Sequence, residues 1–175
     1  MKTLAAAAVL CIAPAVASAA VVNLDSELNT KVVGQGVTLM LDAGSYSVTP
    51  FDNSAENDGF IAWNAWKNNE VSGCDQDGAN CARGWLTSYA FRIGSDAPVG
   101  VGRGRFDTPE KALLNATPTT FTLASDGTVE FFISDSNYSD NDGGVSLNVA
   151  PVPVPAAIGL LVGAFAALGL VRRRA

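Results

Sequence analysis

Between Val21 and Val149 apolar and polar residues alternate, with almost no helical periodicity. The alternation recurs in Val37-Thr38-Leu39-Met40-Leu41, Tyr46-Ser47-Val48, Tyr89-Ala90-Phe91-Arg92-Ile93, Thr119 to Leu123, Val129 to Ile133 and Val145-Ser146-Leu147-Asn148-Val149. A period of two sends successive side chains to opposite faces of a strand, one face buried and one wet. Gly34, Gly36, Gly44, Gly94, Gly127, Gly143 and Gly144 punctuate these runs and read as turns. Short strands with turn signals at this density predict an all-β fold, an antiparallel β-sandwich of jelly-roll type. The polar stretches from Phe51 to Gln76 and from Gly94 to Ala116 read as loops on that scaffold, with a helical turn at Glu110 to Leu114. Gly100-Val101-Gly102-Arg103-Gly104 has no helix signal after it and reads as a turn, not a dinucleotide loop.

The two ends depart from this pattern. Lys2, the apolar run Leu4 to Val16 and the small residues Ala17-Ser18-Ala19 form a signal peptide over 1–19, so the body is exported. At the other end, Ala156 to Val171 is an uncharged run of sixteen residues closed by Arg172, Arg173 and Arg174. As a helix it measures about 24 Å, close to a membrane span once snorkelling arginines are added. Its apolar residues cover every side, which disfavours a surface helix of a soluble domain. The arginines would hold the C-terminus on the cytoplasmic side and leave the body outside. The chain therefore divides into a signal peptide, a body over 20–150, and a tail over 151–175.

Val152-Pro153-Val154-Pro155-Ala156, the apolar run and the terminal arginines, in that order, resemble the PEP-CTERM sorting signal in its VPLPA variant, with Val154 standing where that variant has leucine. The resemblance implies a Gram-negative envelope protein, anchored through its C-terminal helix with the body periplasmic. An exosortase-type enzyme would then process the signal, and the protein would reach the cell surface or an exopolysaccharide matrix.

Composition narrows the chemistry of the body. All 17 Asp and Glu lie within 20–150, while Lys2 and Arg172 to Arg174 do not, which leaves seven basic residues and a net charge of −10. A body this acidic has no electrostatic reason to bind nucleic acid, and good reason to bind a divalent cation. The chain has no histidine, which excludes Ser–His and Cys–His catalysis and the usual zinc ligands. Cys11 leaves with the signal peptide, so Cys74 and Cys81 are an even pair in an oxidising compartment and read as a disulfide.

The candidate chemistry lies in Ser134-Asp135-Ser136-Asn137-Tyr138-Ser139-Asp140-Asn141-Asp142-Gly143-Gly144, between two strand signals. Asp135, Asp140, Asn141 and Asp142 crowd oxygen-bearing side chains into one loop, a repulsive arrangement that a hard cation such as calcium relieves. A solvated acidic turn is the alternative, since Asp, Asn and Gly favour turns in any case.

The body also resembles the calcium-dependent galactophilic lectins of the PA-IL type. The matching stretches are Gly36 to Met40 through Ala43-Gly44, Cys81 through Ser88 to Gly94, and Phe132 to Asp135 through Tyr138, Asp140-Asn141 and Gly143 to Val149. The resemblance implies a calcium that itself holds sugar hydroxyls. By position, Asp135 is the first ligand, Asn137 a carbonyl donor, Asp140 and Asn141 the paired ligands, and Val48 a further backbone carbonyl. The loop is shorter than the family's. The family's sugar-contacting histidine and glutamine fall near Ala55 and Asp58, so Asp58 and Asp135 become the hydroxyl acceptors. Trp63, Trp66, Trp85 and Phe60 are either sugar-stacking faces, Trp63 first among them, or ordinary core anchors.

Three functions compete: a calcium-dependent carbohydrate-binding domain, a structural matrix component with a calcium-stabilised loop and no sugar, and a carboxylate-pair glycosidase. The last is weakest, because nothing places Glu56, Asp58 or Glu70 across a cleft. The cysteine pair is directly testable. Non-reducing mass spectrometry of protein recovered from the periplasm or surface should find Cys74 and Cys81 joined, and two free thiols would refute the pairing.

Overall fold

The computed structural model describes residues 18–66, 84–102 and 104–153. Ten strands and one short helix follow in the order β1 (Ala20–Asp25), β2 (Val37–Leu41), β3 (Gly44–Phe51), β4 (Trp63–Asn64), β5 (Trp85–Leu86), β6 (Tyr89–Ile93), β7 (Val99–Val101), α1 (Pro109–Leu114), β8 (Thr119–Leu123), β9 (Gly127–Phe132) and β10 (Asp142–Pro151). They build two antiparallel sheets. One has the order β5-β4-β10-β3-β8 with β1 also on β10, and the other β2-β9-β6-β7. The fold is an all-β sandwich, as the alternation predicts.

Alternation fills the space between the sheets. Val22 and Leu24 of β1, Tyr46 and Val48 of β3, Phe121 and Leu123 of β8, and Val145, Leu147 and Val149 of β10 face Phe91, Val129 and Phe131 of the other sheet. Aromatic rings cross the gap: Phe121 lies 5.4 Å from Tyr46 in its own sheet and 5.3 Å from Phe91 opposite. Tilted and offset pairs at these spacings add to the apolar burial that holds the sheets together.

Four elements were not legible as strands in the sequence. β1 begins at Ala20, directly after the stretch expected to be a signal peptide, and β4 and β5 are only two residues long. β7 includes Gly100 and Val101, which the glycine pattern assigns to a turn. Gly127 opens β9, and Gly143 and Gly144 lie inside β10 rather than in turns. At the two glycines of β10 the lack of a side chain is needed for close approach: a Cβ on Gly143 would meet the Ala62 carbonyl oxygen at 2.8 Å, and one on Gly144 the Leu24 carbonyl oxygen at 2.2 Å and the Phe60 ring at 2.6 Å. The helical turn does form, with Thr108 at its N-cap accepting from the Lys111 amide and Pro109 at its start.

The register gives the sandwich two poles. Ala20 pairs with Val149 and Tyr46 with Pro151, whereas Asp25 pairs with Gly144 and Phe51 with Ser146. The start of β1 and the exit of β10 therefore share one pole, where the Val152 amide still bonds the Ser45 carbonyl. The β1–β2 loop, residues 52–62 and residues 134–141 share the other. Residues 1–17, most of the expected signal peptide, lie outside the described residues, as do Cys74, Cys81, and the tail from Val154 through Ala156 to Arg172, Arg173 and Arg174. Among the described residues no helix is long and apolar enough to cross a membrane.

The packing at Gly144 predicts a sharp contrast. Gly144→Ala should cost about 2–3 kcal/mol by overpacking against backbone. Gly100→Ala, with open space around its Cβ position, should be near neutral. Thermal melts of the two variants measure the difference, and equal midpoints would refute it.

Candidate functional site

The acidic loop is held by its own residues and by the β1–β2 loop. Tyr138 packs its ring against the core. Its hydroxyl donates to the Ile133 carbonyl at 3.3 Å and accepts from the Lys31 amide at 3.0 Å. The Asp135 carboxylate accepts the Ser136 amide at 2.7 Å, the Asn137 side chain accepts the Ser139 hydroxyl at 2.9 Å, and the Asn141 amide bonds the Tyr138 carbonyl at 3.3 Å. Asn and Asp bonding nearby backbone groups in this way is the usual means of fixing a compact turn.

Asn141 is the pivot. Its side chain is fully buried, and its amide nitrogen donates to the Ser26 carbonyl at 3.1 Å. Its Oδ1 is buried and has no donor among the described residues, and the same holds for Oδ1 of the preceding residue, Asp140. Buried oxygens without a donor cost about 1–3 kcal/mol each, more for a charged group, so two on consecutive residues favour binding a donor or a cation there. These oxygens, with the Asp135 carboxylate on the same loop, are hard donors of the kind calcium takes. Among the described residues no three His, Cys, Asp or Glu side chains form a metal-holding group. Any cation here would rely on amide and carbonyl oxygens beside the carboxylates.

Val48 does not join this loop. It lies inside β3, fully buried, paired to Val149 on one side and Thr119 on the other. Val149 stands seven residues along β10 from Asp142, about 23 Å at the usual strand rise. The residues of the β3 strand brought to the loop's pole are Phe51 and those just after it. There Asp52 accepts both the Ser54 hydroxyl, at 2.7 Å, and the Ser54 amide, at 3.0 Å. These two bonds hold its carboxyl below the usual carboxylate range.

Trp63 is likewise not a surface platform. It is 2% exposed, and its indole donates to the Ser88 carbonyl at 2.8 Å. Trp66 is half-buried with the Arg105 guanidinium 3.6 Å from its ring centroid, so that face is already stacked. Asp58 is exposed in the 52–62 loop, where it holds a φ of 63°, a conformation uncommon for anything but glycine and asparagine-like residues.

Two features escaped the sequence. Under the 52–62 loop, the buried Ser146 hydroxyl accepts the Phe60 amide at 2.9 Å and donates to Asn23 at 2.7 Å, which in turn accepts Asn53 at 3.3 Å. The second is the β1–β2 loop. The Asn29 carbonyl accepts the Ile133 amide at 2.8 Å, and Lys31 Nζ donates to the Asp135 carbonyl at 3.0 Å. Both join partners about a hundred positions apart, for which local pattern carries no signal.

No family model and no curated protein matches the chain. Among solved structures, the N-terminal domain of EclA, described as a PllA-like lectin, is similar at 16% identity with a TM-score of 0.38, covering 78% of this chain and 98% of that one.

The burial of Trp63 gives a clean test. Trp63→Phe removes the indole donor and should cost about 1–2 kcal/mol of stability, while leaving the affinity for any bound saccharide unchanged. A selective loss of binding at unchanged stability would restore Trp63 as a contact residue.

Proposed function

We propose that this protein is a calcium-dependent carbohydrate-binding domain of the Gram-negative envelope, exported by its signal peptide, sorted through its C-terminal signal by an exosortase-type enzyme, and presented at the surface or in an exopolysaccharide matrix. The observation that carries the reading is the pair of buried, donor-free oxygens on Asp140 and Asn141. Asp135, Asp140 and Asn141 would hold the ion, with the Asn137 carbonyl completing the loop's donors. Bound calcium would supply open coordination positions for sugar hydroxyls. The chain's own residues would orient the saccharide: Asp135 and the exposed Asp58 offer acceptors to hydroxyls that lie off the ion. The protein is a binding module rather than an enzyme in this reading: the chain contains no histidine for Ser–His or Cys–His catalysis, and the reading assigns the loop carboxylates to holding an ion and sugar hydroxyls.

A second reading has an observation in its favour. With Trp63 buried and the Trp66 face covered by Arg105, the stacking surfaces expected of a sugar site are reduced. That is compatible with a structural component of the exopolysaccharide matrix whose loop is merely stiffened by calcium.

Calcium that binds only the folded state should stabilise it by about 2.7 kcal/mol at one hundred times Kd, a shift of several degrees in Tm for a domain of this size. Asp135→Ala and Asn141→Ala should abolish the shift, and Asp126→Ala, in a separate turn, should keep it. Identical melts of the wild type in chelator and in millimolar calcium would overturn the proposal. Glycan-array binding reversed by chelation is expected of the lectin, and a calcium shift without any glycan bound would leave the structural reading.

A further inference from the structure

Arg92 and Glu130 face each other across β6 and β9, on the outer side of the second sheet. Both are more than nine-tenths buried, which is unusual for charges on the solvent side of a sandwich. Their Nε and Oε2 approach to 3.0 Å. The guanidinium lies 4.5 Å from the Phe132 ring centroid.

The β1–β2 loop covers them and bonds to both. Glu130 Oε1 accepts the Gly34 amide at 2.7 Å and the Gly36 amide at 3.0 Å, and Arg92 donates to the Lys31 carbonyl at 2.7 Å. Gly34 takes a φ of 86°, and a Cβ on Gly36 would meet the Phe131 carbonyl at 2.4 Å, so the backbone is pressed onto the sheet.

The segment fastened there holds the acidic loop from several directions. Lys31 gives its amide to Tyr138 and its ammonium to the Asp135 carbonyl, Asn29 holds Ile133, and Ser26 holds Asn141. Of the residues assigned to calcium, Asp135 and Asn141 are thus positioned by the β1–β2 loop. That loop is in turn positioned by the buried ion pair.

We infer that Glu130 and Arg92 are positioning residues for the cation site, acting through Gly34, Gly36 and Lys31 to set the spacing between Asp135 and Asn141. The inference rests on the calcium reading above. It extends that reading to groups on the flank of the second sheet, which touch neither ion nor sugar. Residues that orient metal ligands from outside commonly cost about 10–100-fold in metal affinity when removed.

The test is calcium affinity of the full chain by titration calorimetry, paired with the Tm of the calcium-free protein and amide exchange at Lys31, Asp135 and Ser136. Glu130→Gln should weaken calcium binding roughly tenfold and speed exchange at those amides before calcium is added. Glu130→Asp, which keeps the charge and shortens the reach to Gly34 and Gly36, should do so to a smaller degree and serves if the glutamine variant does not fold. Lys31→Met, at an exposed side chain, should weaken binding a few-fold with little change in Tm. Phe121→Leu, a core change in β8, should lower Tm with calcium affinity unchanged, which separates positioning from general destabilisation. Unchanged affinity and exchange in the folded Glu130 variants, with the wild type binding calcium, would overturn this inference alone. A wild type that binds no calcium would overturn the site reading and the inference with it.

Discussion

Everything in this fold is referred to one strand. β10 runs ten residues without interruption and pairs with β1 along one edge and with β3 and β4 along the other. A strand flanked on both sides for most of its length has its backbone donors and acceptors consumed by the ladder, which is what a buried backbone requires. Its inward residues Val145, Leu147 and Val149 supply the middle of the core, and its outward Ser146 anchors the loop from 52 to 62. Where β10 begins, Asn141 and Asp140 hold the oxygens that give the molecule its candidate chemistry. The site therefore adjoins the most fully paired strand of the fold.

Support reaches the acidic loop from the other sheet as well. The Arg92–Glu130 pair is buried on a face that would ordinarily be wet, and buried pairs as a class add little net stability, because desolvation offsets the attraction. Holding a glycine-rich loop down at a fixed height is a specific use for such a pair: the loop needs amide acceptors, and a carboxylate supplies them without a side chain above it. This separates the energetic foundation of the fold, which is apolar and aromatic, from the polar fastening that shapes its one crowded pole.

The division explains what the sequence revealed. The sandwich was legible because a period of two survives in every long strand, and Phe91, Phe121 and Phe131 fall on the inward phase. The acidic loop was legible because its residues are consecutive. Val48 falls away from the loop because its position along β3 is set by pairing to Val149, about a hundred residues away, and no local pattern encodes that pairing. Trp63 reads from the sequence as either a sugar-stacking face or a core anchor, and the two-residue β4 decides between them by carrying it into the core. The β1–β2 loop went unnoticed for a related reason. Lys31 and Gly34 acquire their roles only when Glu130 and Tyr138 arrive from the far end of the chain. Gly143 and Gly144 read as a turn because glycines usually are one; here the Ala62 carbonyl at Gly143, and Leu24 and Phe60 at Gly144, leave no room for a side chain.

The two poles of the sandwich have a mechanical meaning. The acidic loop runs directly into the first residue of β10, and the chain leaves the body one residue beyond its last. A load applied at Asp140 and Asn141 and resisted at Val152 is carried along the covalent backbone of a single extended strand, about 33 Å long at the usual rise. No hydrogen bond lies in series with that path. The ladders to β1, β3 and β4 stand beside the line of tension and not across it, so pulling on the loop against the tail stretches the spine of the domain without first unzipping its sheets.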